Sequence, residues 1–169
     1  DPPEELVALV EVARRFRERE VDPLESAFLD AGVLDFQTRL NLEKKARDAD
    51  LWALDVPVEF GGQGLGLLGL CLVVEEMSKS PTMFQFEGSP EPSLYNCNQE
   101  QRERYLYPVI RGEKRCCYAF TEPDTGSDLA NMRTKAIRDG DNWIINGRKT
   151  FFSRAKTSDF VILYVSTPD

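Results

Sequence analysis

A chain of 169 residues has room for one domain, or for one domain and part of another, and 41% hydrophobic content is ample for a packed core. With 21 Lys and Arg against 29 Asp and Glu the formal charge is −8. This argues against a nucleic-acid binder or a protein drawn to anionic membranes, since both need a basic footprint. Histidine is absent, which excludes a Ser-His-Asp or Cys-His nucleophilic centre within these residues and leaves the chemistry to a cofactor.

Leu6, Leu9, Val10, Ala13 and Phe16 recur at three- and four-residue steps, which predicts an amphipathic helix over residues 3–20, with Pro23 as its end or a break. Asp35 is a good N-cap for a second helix running through Leu40 and Ala46 towards Ala49. A short apolar stretch, 51–58, leads into Gly61, Gly62 and Gly64. Residues 65–77 are apolar nearly all round, which predicts a helix buried on most sides. The segment 80–98 carries Pro81, Gly88, Pro90 and Pro92 and is expected to be irregular. A further helix with Gln101, Arg104 and Tyr105 is closed by Gly112.

From Arg115 the texture changes. Residues 116–120, 132–138, 143–146, 150–153 and 160–166 read as short strands, with a turn at 139–142 and a hairpin signal at Asn146-Gly147. Helices first and strands second is an α+β order, with a boundary near 115 that divides the chain into 1–114 and 115–169. About 55 strand-rich residues build only part of a barrel or sandwich, so the chain reads as a portion of something longer. Cys71, Cys97, Cys116 and Cys117 show no CxxC spacing. They offer little to zinc and point to a reducing, intracellular compartment. No apolar run is long enough to span a bilayer, and the N-terminus lacks the pattern of a signal peptide.

The stretch most informative about chemistry runs from Tyr118 through Phe120, Thr121, Glu122, Pro123, Asp124, Thr125, Gly126 and Ser127 to Asp128. A strand ends, proline bends the chain, and Gly-Ser-Asp leaves backbone N–H groups able to cradle an anion. The same residues also make an ordinary strand-to-loop exit, and physical chemistry alone leaves both readings open.

Several motifs in order decide between them. They are Val56-Pro57, Glu59-Phe60-Gly61-Gly62-Gln63-Gly64, Gln101-Arg102-Glu103-Arg104-Tyr105-Leu106, Gly112-Glu113-Lys114, the 118–128 stretch and Asn146-Gly147-Arg148-Lys149. Together they make the chain similar to the acyl-CoA dehydrogenase family over essentially its whole length. The resemblance implies an N-terminal helical domain followed by part of a FAD-contacting β-domain of barrel or sandwich type, without the C-terminal helical bundle. It implies that Tyr118, Phe120 and Thr121 line the flavin, with the Thr121 hydroxyl and amide bonding to the ring. Gly126 and Ser127 match positions that approach the FAD pyrophosphate and the acyl-CoA. Phe151 and Ser153 match an aromatic residue packed on the flavin and a hydroxyl bonded to it; Phe151 could instead be a core aromatic of a strand.

The implied activity is α,β-dehydrogenation of an acyl-CoA thioester with hydride transfer to FAD, with electrons passed to an electron-transfer flavoprotein. The whole protein would be a homodimer or homotetramer, cytoplasmic in a bacterium or in the mitochondrial matrix of a eukaryote. The glutamate that serves the family as general base falls outside this sequence, so no catalytic residue is assigned. Two alternatives stand beside this one: a flavin oxidase or monooxygenase of the same architecture, and a flavin-free remnant that binds or scaffolds. The departures touch the flavin motif, the phosphate loop and the acyl pocket. Phe151-Phe152-Ser153-Arg154 stands where the family commonly has Trp, Ile or Val, Thr and Asn, so Arg154 adds a cation that either meets an anion or is solvated. Asp124-Thr125 replaces a commoner Gly-Ala pair, and the 80–98 segment is shorter and richer in proline than the helix usual there. Glu75 and Glu76 point about 100° apart on a helix and are read as solvated or packing residues, not a catalytic pair.

Overall fold

The computed structural model describes residues 2–82, 84 and 86–167. Its architecture is α+β: helices fill the first 110 residues and short strands follow from Cys116.

The first helix, α1 (Glu4–Phe16), is followed by a break at Pro23, one of the two outcomes expected of that proline. A π turn (Arg17–Val21) and a 3-10 turn (Asp22–Leu24) carry the chain through Pro23 into α2 (Glu25–Ala31). Pro23 lies in the first turn of its short helix, where a missing N–H deprives no carbonyl of a partner. Helix α3 (Phe36–Asp48) follows the sequence closely, with the Asp35 carboxylate accepting from the Thr38 N–H at 3.0 Å. Helix α4 (Leu67–Met77) lies against α1. It departs from the expectation of burial on most sides: Val73, Glu76 and Met77 are buried, but Leu67, Leu68 and Val74 are exposed. Of the two neighbouring glutamates, Glu76 is the packing one. Its carboxylate meets Arg14 of α1 and Arg17 of the π turn at 3.5 and 3.3 Å.

The segment 80–98 is irregular apart from a 3-10 turn (Pro92–Asn96), yet it is central to the core. Phe84 is buried and stacks near Phe16, while Phe86 meets Phe16 edge-on at 5.3 Å between ring centroids. Gly88 comes so close to Trp52 that a Cβ there would sit 2.3 Å from the indole nitrogen. That nitrogen donates to the Ile110 carbonyl at 2.6 Å. One side chain thus ties the 51–56 segment, the irregular segment and the end of the next helical run. That run is α5 (Gln99–Gln101), a π turn (Arg102–Leu106) and α6 (Tyr107–Ile110), opened by an Asn98–Gln101 capping box.

Four strands are formed among the described residues. Strand β1 (Cys116–Ala119) pairs in parallel with β4 (Phe160–Leu163), and β2 (Lys135–Asp139) pairs antiparallel with β3 (Asn142–Asn146). The segment after β4 joins the pairs: the Tyr164 N–H donates to the Ala119 carbonyl, and Ser166 exchanges two backbone bonds with the β2 side. The hairpin turn falls at Gly140-Asp141, between the paired Asp139 and Asn142. The hairpin expected at Asn146-Gly147 does not form. Gly147 serves close approach instead, since a Cβ there would lie 2.6 Å from Thr134 Cα. The strand expected over 150–153 is also absent: those residues join no ladder, and Phe151 takes φ 56°. The last expected strand, 160–166, is formed over Phe160–Leu163, and residues 168–169 lie outside the described residues.

The helical and strand portions meet through a buried charge and an aromatic contact. The Arg115 guanidinium pairs with the Glu43 carboxylate on α3, and the Tyr105 and Phe160 rings lie 5.1 Å apart.

Candidate functional site

The parallel pairing of β1 with β4 fixes which residues leave the sheet together. Tyr118 and Phe120 alternate with the buried Cys117 and Ala119. Phe120 stacks on Tyr164 at 3.9 Å, and Tyr118 meets Phe120 edge-on at 5.5 Å. This aromatic edge, Thr121 and the 151–154 segment enclose a cleft of about 430 Å³. Five of the seven residues expected to hold a cofactor line it: Tyr118, Phe120, Thr121, Phe151 and Ser153. Phe151 is 92% exposed, so its ring is no core aromatic but stands out of the protein. Its positive φ, like that of Arg154 at 66°, is a conformation that residues with a Cβ adopt at a cost and that concentrates at functional positions.

Gly126 and Ser127 lie apart from this cleft, in the loop that leaves Thr121. Glu122 and Thr125 exchange two backbone hydrogen bonds, at 2.8 and 3.2 Å, so the loop doubles back over Pro123-Asp124. Gly126 and Ser127 follow in solvent, and a Cβ built on Gly126 meets nothing within 4 Å. The residue types and their surroundings fit FAD. Among the described residues the hydroxyls of Thr121 and Ser153 make no hydrogen bond, and the N–H groups of Gly126 and Ser127 donate to no acceptor, which leaves them free for a flavin ring and an anion respectively.

Beneath the cleft lies a group to which the sequence assigned no role. Glu122 is 5% exposed, and its carboxylate accepts from the N–H groups of Arg133 (2.7 Å) and Thr134 (2.8 Å) and from Lys149 Nζ (2.9 Å). Lys149 Nζ also donates to the Phe120 carbonyl at 2.8 Å. Burial by itself would push the Glu122 carboxyl up, but hydrogen bonding from Thr134, Lys149 and Arg133 outweighs it and holds the pKa down to about 2. A glutamate before a proline in a loop reads as solvated. The available signal was the lysine of Asn146-Gly147-Arg148-Lys149, too distant in sequence to pair by inspection.

A second carboxylate reaches the rim of the cleft. Glu91 accepts from the Tyr164 hydroxyl and from Ser93; burial would raise its pKa, but these bonds keep it below the usual carboxylate range. Arg154, the departure noted in the sequence, lines the cleft and pairs with Glu87 at 3.1 Å. Cys116 also faces this space, its thiol pushed up by burial. No cluster of potential metal ligands is found among the described residues.

Residues 3–113 match the acyl-CoA dehydrogenase N-terminal domain, and residues 117–169 match the acyl-CoA dehydrogenase middle domain. The chain is 36% identical over 183 residues to an (R)-benzylsuccinyl-CoA dehydrogenase of Thauera aromatica, an alignment covering 98% of this chain and 45% of the relative. It is 32% identical over 162 residues to the caffeyl-CoA reductase-Etf complex subunit CarC of Acetobacterium woodii, covering 92% of this chain and 42% of the relative. Among solved structures, the FAD complex of PigA superposes with a TM-score of 0.79 at 26% identity, over 100% of this chain and 45% of that one. The chain thus spans somewhat under half the length of the relatives it matches. By both domain matches and by its likeness along nearly its whole length, the chain belongs to the acyl-CoA dehydrogenase family.

Proposed function

We propose that the protein is an FAD-dependent dehydrogenase that desaturates the α,β bond of an acyl-CoA thioester, and that this chain supplies one wall of its flavin site. The observation that carries the proposal is the convergence of Tyr118, Phe120, Thr121, Phe151 and Ser153 on one cleft, with the Thr121 and Ser153 hydroxyls unpartnered among the described residues. Bound FAD would supply the hydride acceptor, which no amino-acid side chain provides. The residues of the chain would do the rest. Phe151 and the Tyr118–Phe120 edge would shelter the ring from water. Thr121 and Ser153 would fix its orientation by hydrogen bonds. The free N–H groups of Gly126 and Ser127 would meet phosphate oxygens of the cofactor or of the thioester's carrier. The proton α to the carbonyl needs a base from beyond these residues, and none of the carboxylates described above is assigned that role.

Relatives support the cofactor and the electron acceptor: PigA is solved as an FAD complex, and CarC belongs to an Etf complex. We take an electron-transfer flavoprotein to be the acceptor here as well, and a homo-oligomer to be the working form. The test is to purify the full-length protein, record its visible spectrum, and supply acyl-CoA thioesters with and without an artificial electron acceptor under oxygen and under argon. Flavin absorbance bleached by thioester, with turnover that needs the acceptor, supports the proposal. Turnover that consumes oxygen and releases peroxide favours an oxidase. A colourless protein that takes up no FAD refutes the flavin reading altogether.

A further inference from the structure

We infer that Glu122 and Lys149 are positioning residues for the cofactor: their buried pair locks the segment bearing Thr121 to the segment bearing Phe151 and Ser153, so that both address one ring. The inference rests on the flavin reading above.

The side chains of Lys149 and Glu122 are 5% and 3% exposed. A buried ion pair is weak evidence of stabilisation, because desolvation of two charges offsets much of their attraction and a packed apolar pair often serves as well. Its presence therefore points to a role besides stability, and its connections supply one. Lys149 divides its donors between the Glu122 carboxylate and the Phe120 carbonyl, which flank Thr121 on either side. One residue further along, the Thr150 N–H donates to the Thr121 carbonyl at 2.8 Å. Two adjacent residues of one segment thus grip three consecutive residues of the other.

The grip matters because nothing regular replaces it. Residues 147–153 belong to no strand, so no ladder fixes where Phe151 and Ser153 point. The turn to φ 56° at Phe151 comes directly after the gripped Thr150. On its other side the Glu122 carboxylate holds the N–H groups of Arg133 and Thr134, which lead into β2, and Gly147 packs against that same Thr134. The carboxylate is a hub for three stretches of chain far apart in sequence, two of which line the cleft. Neither charged group lines the cleft itself, which makes them positioning residues and not catalytic ones.

The test uses the full-length protein, stripped of flavin and titrated with FAD by fluorescence. The variants are Lys149→Met, Lys149→Arg and Glu122→Gln, with Val73→Ala, buried on α4 where it packs near α1 and outside the cleft lining, as a destabilising control. Loss of a charge-assisted bond that orients the site should weaken FAD binding by about tenfold or more in Lys149→Met. The visible band shape of the bound flavin should change, and Lys149→Arg should recover part of both losses. Val73→Ala should lower the unfolding midpoint but leave FAD affinity within about twofold. Where Lys149→Met does not fold, Glu122→Gln carries the same comparison with the shape of the side chain kept. Affinity and spectrum unchanged in the folded variants, with stability alone reduced, overturn the inference while the flavin reading stands. A wild-type protein that takes up no FAD overturns the flavin reading, and this inference with it.

Discussion

Replacing Trp52 by Phe isolates one hydrogen bond on which the helical half of the chain converges. Trp52 is 9% exposed, and its Nε1–H donates to the Ile110 carbonyl at 2.6 Å; among the described residues no other group donates to that oxygen. Phenylalanine leaves the carbonyl buried and unsatisfied, a cost of about 1–3 kcal/mol. The smaller ring also vacates roughly 40 Å³, and at about 24 cal/mol per Å³ the void adds about 1 kcal/mol. Gly88 and Gly112 press on the indole, and the Arg47 guanidinium lies 4.7 Å from its ring centre, so the surroundings have little freedom to collapse inward. The sum is about 2–4 kcal/mol, a large share of the net stability of a folded domain. Urea unfolding followed by far-UV circular dichroism measures it. Tryptophan fluorescence is unsuitable, because the substitution removes one of only two tryptophans. A midpoint and slope that place the variant within about 0.5 kcal/mol of wild type would refute the claim that this bond closes the core.

Three further outcomes are expected. Thr121→Ala removes a hydroxyl assigned to the flavin and should cost about 0.5–1.5 kcal/mol of cofactor binding, or about two- to tenfold in Kd; an unchanged affinity, spectrum and turnover would remove Thr121 from the site. The Glu122 pKa falls from 4.5 to about 2 on folding, so its stabilising contribution is complete above pH 4.5 and is lost as pH falls towards 2. Acid titration of the strand region should therefore be shallower in Glu122→Gln than in wild type between those values, and parallel curves would contradict the assignment. Finally, residues 1–169 expressed alone should bind FAD far more weakly than the full-length protein, because the cleft has one wall and Phe151 stands 92% exposed; submicromolar binding by a soluble monomer, read by calorimetry, would show the site to be complete here.

Local signals were largely legible and long-range ones were not. The Asp35 cap and the Gly140-Asp141 turn depend on residues at most three apart and were legible, whereas the equally local Asn98–Gln101 capping box was passed over. The apolar character of 65–77 established a helix but not its burial, which depends on what packs against it. Within this chain α1 covers only one side, leaving Leu67 and Leu68 open. Pro23 marks a break, as one of its two readings expected, and the chain tightens to a 3-10 turn there, where its missing N–H costs little. Strand β3 shows the same limit in the other half: Trp143, Ile144 and Ile145 are all exposed, so an apolar run with strong β propensity formed its strand without a covering layer.

The site shows why motif reading reaches residue types before it reaches geometry. Tyr118, Phe120 and Thr121 could be placed together because they share a strand edge, and a two-residue period brings Tyr118 and Phe120 to one side. Phe151 and Ser153 could be paired with them only through the resemblance, since 29 residues lie between Thr121 and Phe151 and the strand expected there does not exist. What brings the two segments together is Lys149 reaching Phe120 and Glu122 across 29 and 27 residues of sequence. A strand would have fixed 150–153 by a ladder and alternated its side chains between two faces. A side-chain anchor instead leaves the backbone free to turn at Phe151 and present the ring outward. The same β-rich composition that predicted a strand therefore serves a segment whose shape is decided by a buried charge elsewhere in the chain. Dependence on that charge makes the segment vulnerable in a way a strand would not be, since one substitution at Lys149 removes both side-chain contacts at once.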